Sequence, residues 1–255
     1  MNGVQVVRRS PFFPLTAAAH LLGRCLPQRD EANVRTKPTL GERLNAYATG
    51  PYFANLLAQC RALKPTVIHA GPMPLTHVLT AFKVAARLHV PFVVTPIFHF
   101  DLASYYNPIY TNLLSQADLI IALTEYERTE LSQRFSLDPK RVAIIPFGLD
   151  TLTVNRLNIR PGAFRQRYDI ADPQRVVLYA GSKGVDKGAI DVLSVVSDLK
   201  RDDVTLVAIG LPTPDWNAKL ETTRPNHLVD LGYISEQEKW EAFADCDIVA
   251  VPMRA

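Results

Sequence analysis

Lys183 and Lys187 stand inside a run that also holds three glycines, Tyr179-Ala-Gly-Ser-Lys-Gly-Val-Asp-Lys-Gly188. An apolar run, Arg175–Ala180, leads into it, and helical spacing resumes over Gly188–Lys200. Glycines let the backbone approach a ligand, a helix N-terminus offers unpaired N–H groups, and the lysines add full charge. That combination suits a diphosphate. Neither GxxxxGK[ST] nor GxGxxG is present, so this is not an ATPase loop or a dinucleotide fingerprint. A plain flexible turn is the competing reading.

Three other junctions carry chemistry-bearing residues. Thr95-Pro-Ile-Phe-His-Phe-Asp101 follows an apolar run and presents His99 among aromatics, where a structural histidine is equally to be expected. Ile145-Pro-Phe-Gly-Leu-Asp150 breaks the pattern at Pro146 and Gly148 and reads either as a cleft floor or as a linker turn. Leu231-Gly-Tyr-Ile-Ser-Glu236 passes from a strand to a capped helix, and such a loop can hold a nucleobase through backbone groups.

The elements that must position these residues alternate. Thr66–Ala70, Pro91–Thr95, Asp118–Leu123 and Arg141–Ile145 read as strands, with helices over Leu75–Leu88, Asn107–Ser115 and from Thr124 to about Phe135. Thr124 with Glu127 three residues later predicts a capping box. After a polar stretch to Gly162 the alternation restarts at Arg175–Ala180 and Val204–Ile209. Trp216–Thr222, His227–Asp230, Glu236–Ala244 and Ile248–Val251 follow. This is the pattern of βαβ units, and near-continuous apolar strands imply sheets covered on both faces. The fold class is therefore α/β with two Rossmann-like domains and parallel sheets, residues 1–150 and 151–255. Residues 10–62 are irregular, with Gly41–Leu63 expected as one long helix broken at Gly50-Pro51, and Val4–Val7 reads as a strand.

Composition excludes several classes. A net charge of +3 is too small to argue for nucleic acid, and no apolar run reaches the length of a membrane span. Cys25, Cys60 and Cys246 are odd in number and widely spaced, which argues against disulfides and zinc and favours a reducing cytoplasm. HExxH, DxD and GxSxG are all missing, so no metal or serine-hydrolase site is expected. Arg8, Arg9, Arg24, Arg29, Arg35, Lys37 and Arg43 scatter through the first part. A solvated surface is the main reading. Peripheral contact with the inner face of a membrane is the lesser one.

Taken in order, TPIFHFD, ADLIIALTEYERTEL, VAIIPFGLD, VLYAGSKGVDKG, LVAIGLP and LGYISEQEKWEAFADCDIVAVPMRA resemble the retaining GT-B glycosyltransferases of family 4 over residues 64–255. The resemblance implies two domains facing a cleft, acceptor on the N-terminal side and a nucleoside-diphosphate-sugar donor on the C-terminal side. It places Gly181, Ser182, Lys183 and Lys187 at the donor diphosphate, His99 beside the donor sugar, Gly148 near the cleft floor, and Tyr233 and Ile234 at the base. No cofactor is implied beyond the donor, and the acceptor is left open. Ser182 replaces the family's arginine, and Lys183 is expected to supply that charge. The family's first strand with its glycine-rich loop, and its C-terminal carboxylates, have no counterpart. Both domains are thus expected to be incomplete and this chain alone inactive. A sugar-nucleotide epimerase on the same fold and a non-catalytic or partner-dependent nucleotide-sugar-binding protein are the alternatives.

Overall fold

The computed structural model describes residues 37–53 and 55–252. The expected strand at Val4–Val7, five of the seven scattered basic residues, and Cys25 lie outside them. The chain divides into two compact units, Met1–Gly148 and Leu149–Ala255. The sequence reading put that division after Asp150.

The first unit carries a four-stranded parallel sheet. Its strands are β1 (Ile68–Ala70), β2 (Phe92–Val94), β3 (Leu119–Ala122) and β4 (Val142–Ile144), lying in sequence order. The break expected at Gly50-Pro51 is present, and the stretch read as one interrupted helix over Gly41–Leu63 is two, α1 (Leu40–Ala48) and α2 (Leu56–Leu63). Thr39 and Glu42 cap α1 reciprocally. Its C-terminal end is tied inward where Ala46 O accepts Thr76 Oγ1 at 2.9 Å and Tyr110 OH at 3.1 Å. A helix running straight on would lose those buried bonds. Helices α3 (Thr76–Leu88), α4 (Pro108–Gln116) and α5 (Glu125–Arg134) complete the unit. One core joins Val78, Phe92, Val94, Leu114, Ile120 and Leu131, each at most 2% exposed.

The second unit begins with two short helices, α6 (Thr151–Arg156) and α7 (Ala163–Arg167), in the stretch read from sequence as polar linker. Asp245 anchors α7: its carboxylate accepts the N–H groups of Gly162, Phe164 and Arg165 at 2.6, 2.9 and 3.2 Å. Strands β5 (Arg175–Ala180), β6 (Val204–Ile209), β7 (His227–Leu231) and β8 (Ile248–Val249) form a parallel sheet in the order β7-β6-β5-β8. Helices α8 (Ala189–Asp198), α9 (Pro214–Thr222) and α10 (Glu236–Asp245) connect them. Side chains alternate across a strand, so β5 and β6 feed two cores. Tyr179, Leu206 and Ala208 pack with α8 and Trp216 on one face. Val176, Leu178, Val207 and Ile209 pack with Phe164 and Ala242 on the other. All six residues of β6 are buried, which explains its unbroken apolar reading.

Candidate functional site

In the first unit, β2 leads into the segment that carries His99. Phe98 sinks into an aromatic cluster, its ring centroid 4.9–5.5 Å from those of Phe100, Tyr105, Tyr106 and Phe135. The next residue, His99, is exposed and lies beside Tyr105 at 5.3 Å between centroids. Glu127 fixes this arrangement. Its carboxylate is 6% exposed and accepts Phe98 N–H at 2.7 Å and Leu123 N–H at 2.8 Å. The expected capping box is therefore half realised. Thr124 Oγ1 accepts Glu127 N–H at 3.0 Å, but the carboxylate serves the loops at the ends of β2 and β3 rather than its own helix. A buried amide is costly to leave unpaired, and two are satisfied here by one residue.

Gly148 falls in a different place from His99. With Ile145, Pro146 and Phe147 it lines a cavity of about 650 Å³ at the C-terminal ends of β1–β4. His69, His77 and Thr95 line it too. His69 Nε2 and Thr95 Oγ1 are 2.7 Å apart, and His77 Nε2 lies 3.0 Å from Gly71 O. His69 lies in β1 and His77 in the first turn of α3, which brings the two to one end of the sheet. Among the described residues no cluster of His, Cys, Asp and Glu is arranged to hold a metal.

In the second unit the loop between β5 and α8 contains Gly181, Ser182, Lys183 and Lys187. Gly188 ends it at φ +70° and acts as the N-cap of α8, with no side chain capping the first turn. A Cβ there would stand 1.8 Å from Pro252 O, so both conformation and space demand glycine. Backbone carbonyls take part of the first turn, Ala189 N–H donating to Gly184 O at 3.2 Å and Asp191 N–H to Gly188 O at 3.1 Å, and the positive dipole end lies at the end of the glycine loop. Lys187 is half exposed beside it, 3.9 Å from the exposed Asp186. Ser182 is exposed, and its carbonyl accepts Tyr179 OH at 2.7 Å. Burial pushes the Tyr179 phenol up, with the Asp186 carboxylate adding to the shift.

Lys183 does not join Lys187 on this surface. It is 1% exposed, and its ammonium donates to the Asp230 carboxylate and, at 2.7 Å, to Leu231 O. With a side chain 2% exposed and two of its three N–H groups so engaged, Lys183 does not stand on the surface beside Lys187, where it was expected to supply the missing arginine's charge. The β7–α10 loop is split in the same way. Tyr233 is 83% exposed, whereas Ile234 is partly buried and packs against the core on one face of β5 and β6. Ser235 Oγ caps α10 by accepting Glu238 N–H at 3.2 Å.

Two α/β units, each with a four-stranded parallel sheet, are the architecture of the GT-B glycosyltransferases. The family model described as Glycosyltransferase Family 4 matches residues 2–152, and the chain belongs to that family. Among solved structures, HepE of Anabaena in complex with UDP-glucose matches with a TM-score of 0.64 at 19% identity, over 79% of this chain and 56% of its own. A sucrose-phosphate synthase from Thermosynechococcus elongatus matches at 0.59 and 15%, over 77% and 52%. A UDP-N-acetylglucosamine 2-epimerase from Rickettsia bellii matches at 0.50 and 15%, over 76% and 53%. These likenesses show the fold, and the chain spans less than two thirds of the length of each. No curated protein matches. Among the described residues no helix is long and apolar enough to cross a membrane.

Proposed function

We propose that the protein transfers a hexose-like sugar from a nucleoside diphosphate to an acceptor hydroxyl with retention of anomeric configuration. The second unit binds the donor and the first holds the acceptor. The observation that carries this reading is the uncapped N-terminus of α8, with Lys187 half exposed beside it at the end of the glycine loop. As the bond between the anomeric carbon and the phosphate oxygen breaks, its electron pair goes to the phosphate. Lys187 and the dipole end of α8 stabilise that charge, and a well-placed donor is worth about 10²–10³ in rate. The acceptor oxygen bonds to the anomeric carbon, and its proton passes to the departing phosphate. Cation and backbone supply the stabilising charge, so we propose a reaction that needs no divalent ion. We assign His99, exposed next to the anchored Phe98, to contact with a sugar hydroxyl. That HepE was crystallised with UDP-glucose makes a uridine donor the first to test.

The test is UDP binding by calorimetry to Lys187→Ala and to Lys200→Ala, the latter beyond the far end of α8. The first should weaken binding about ten-fold or more, as loss of a charge-assisted hydrogen bond does. The second should match the parent. Equal affinities in both variants would mean the loop is a plain turn. The Rickettsia bellii epimerase is what favours an epimerase reading. Incubation with UDP-N-acetylglucosamine separates the two: a changed sugar still on the nucleotide supports epimerisation, and a glycosylated acceptor supports transfer.

A further inference from the structure

Three loops of the second unit meet at the one buried ammonium of Lys183. Its backbone N–H donates to Leu211 O at 2.9 Å, and its carbonyl accepts Thr213 Oγ1 at 2.7 Å. Its side chain crosses to the end of β7, donating to Asp230 and to Leu231 O. Trp216 completes the set: its indole N–H donates to the second Asp230 oxygen at 3.1 Å, and its ring centroid lies 5.4 Å from the Lys183 Nζ. Gly210 N–H also reaches Leu231 O, at 3.0 Å, and Gly232 O, at 3.2 Å. Gly210 sits at φ +134°, where a Cβ would lie 1.9 Å from Gly181 O, so the phosphate loop and the β6–α9 loop touch backbone to backbone.

An apolar side chain of the same length would fill this space without the desolvation cost of a buried ion pair. What the lysine adds is direction, since one N–H is aimed at Leu231 O, where β7 passes into the Leu231–Ile234 loop, and another at Asp230 just before it. We propose that Lys183 is a positioning residue that sets the spacing between the phosphate loop, Gly181–Gly188, and the base loop, Leu231–Ile234, so that one nucleoside diphosphate engages both. The ligand part of this proposal rests on the donor-binding reading above. The mechanical part, that Lys183 fixes the 231–234 loop, stands without it.

The test compares the chain with Lys183→Met and with the double variant Lys183→Met/Asp230→Leu, in which an apolar pair replaces the ion pair and restores packing. The probes are UDP, inorganic pyrophosphate, and amide hydrogen exchange without ligand. Both variants should lose about ten-fold or more in UDP affinity, the size expected when charge-assisted bonds are cut, while pyrophosphate affinity moves much less. Amides of Gly232–Ile234 should exchange faster while those of β5 and β6 do not. Equal losses for UDP and pyrophosphate would overturn the proposal, because Lys183 would then serve the phosphate or the fold as a whole. Recovery of UDP affinity in the double variant would also overturn it, because filling the core would be the lysine's only role. If the parent binds neither probe, the donor reading fails, and exchange at 232–234 still decides the tie: faster supports it, unchanged overturns it.

Discussion

The His99 segment of the first unit and the Lys187 loop of the second are built alike and charged oppositely. Each follows a parallel strand, and each pairs a buried ion with an exposed residue nearby. In the first, Glu127 gathers the amides of Phe98 and Leu123, and His99 stands in solvent. In the second, Lys183 gathers the Asp230 carboxylate and Leu231 O, and Lys187 stands half exposed. The two differ in what the ion holds. Glu127 takes backbone donors only, so its partners stay in place whatever the neighbouring side chains are. Lys183 depends on another side chain, and removing that side chain strands a buried charge. A support made of backbone amides and one made of an ion pair should therefore fail differently.

The largest effect should come from Asp230→Ala. It leaves Lys183, at 2% side-chain exposure, with only a carbonyl and an aromatic face. Breaking a buried pair from one side costs about 3–5 kcal/mol. Lys183→Met should cost clearly less, because Asp230 retains 31% exposure and the Trp216 N–H. Urea denaturation of both variants reads the asymmetry. Equal costs would mean that the pair is solvated and the contrast with Glu127 is empty. Next in size is Glu127→Ala, which orphans two amides at about 1–3 kcal/mol each. Glu127→Gln should fall between it and the parent, since its amide oxygen can still accept from one of the two. His99→Ala, whose side chain is exposed, should leave the melting temperature within about a degree, as surface substitutions do. If His99→Ala destabilises as much as Glu127→Ala, the histidine is structural and its exposure is incidental.

The sheets were legible because covered parallel strands must be apolar throughout. Val204–Ile209 is buried at all six positions and reads as a strand for that reason. Helix starts at Thr124 and Ser235 were legible through their capping residues, while the one at Thr213 was read late, near Trp216. Less was legible in the site. A lysine between serine and glycine reads as surface charge, and nothing within ten residues shows that it is buried. Its partners lie 30–48 positions away, at Thr213, Asp230 and Leu231. The available hint was Asp230, an acid at the end of an otherwise apolar strand, with Trp216 in need of an acceptor for its N–H. Glu127 shows the opposite case. Its local signal was sound, but two tertiary amides claimed its carboxylate from the helix. The family resemblance identified the loops but not which of their side chains turn inward.

The smallest expected effect separates the two units by pH. Among the described residues, the carboxylates held below their ordinary value are Asp150, Asp203 and Asp247, and all three belong to the second unit. Asp247 is the least exposed of them to replacement by water. Val176 N–H donates to it at 2.8 Å, Arg175 at 2.9 Å and Arg165 at 3.1 Å, joining the start of β8 to β5 and α7. The backbone bond from Val176 is the main cause of its lowered pKa, and the Arg175 bond is next. A carboxylate lowered by folding contributes stability that is fully present above its unfolded value of 3.8 and is lost as pH falls through the folded value. The window therefore lies below about pH 4, and nothing should change between pH 5 and 7 on this account. Hydrogen exchange at pH 5 and pH 3 should show β5 and β8 losing protection before β1–β4. Asp247→Asn cannot ionise, so it should begin less stable at pH 7 and lose less between pH 5 and pH 3. If that variant and the parent fall in parallel with acid, Asp247 is not the group that ties the second sheet's stability to pH.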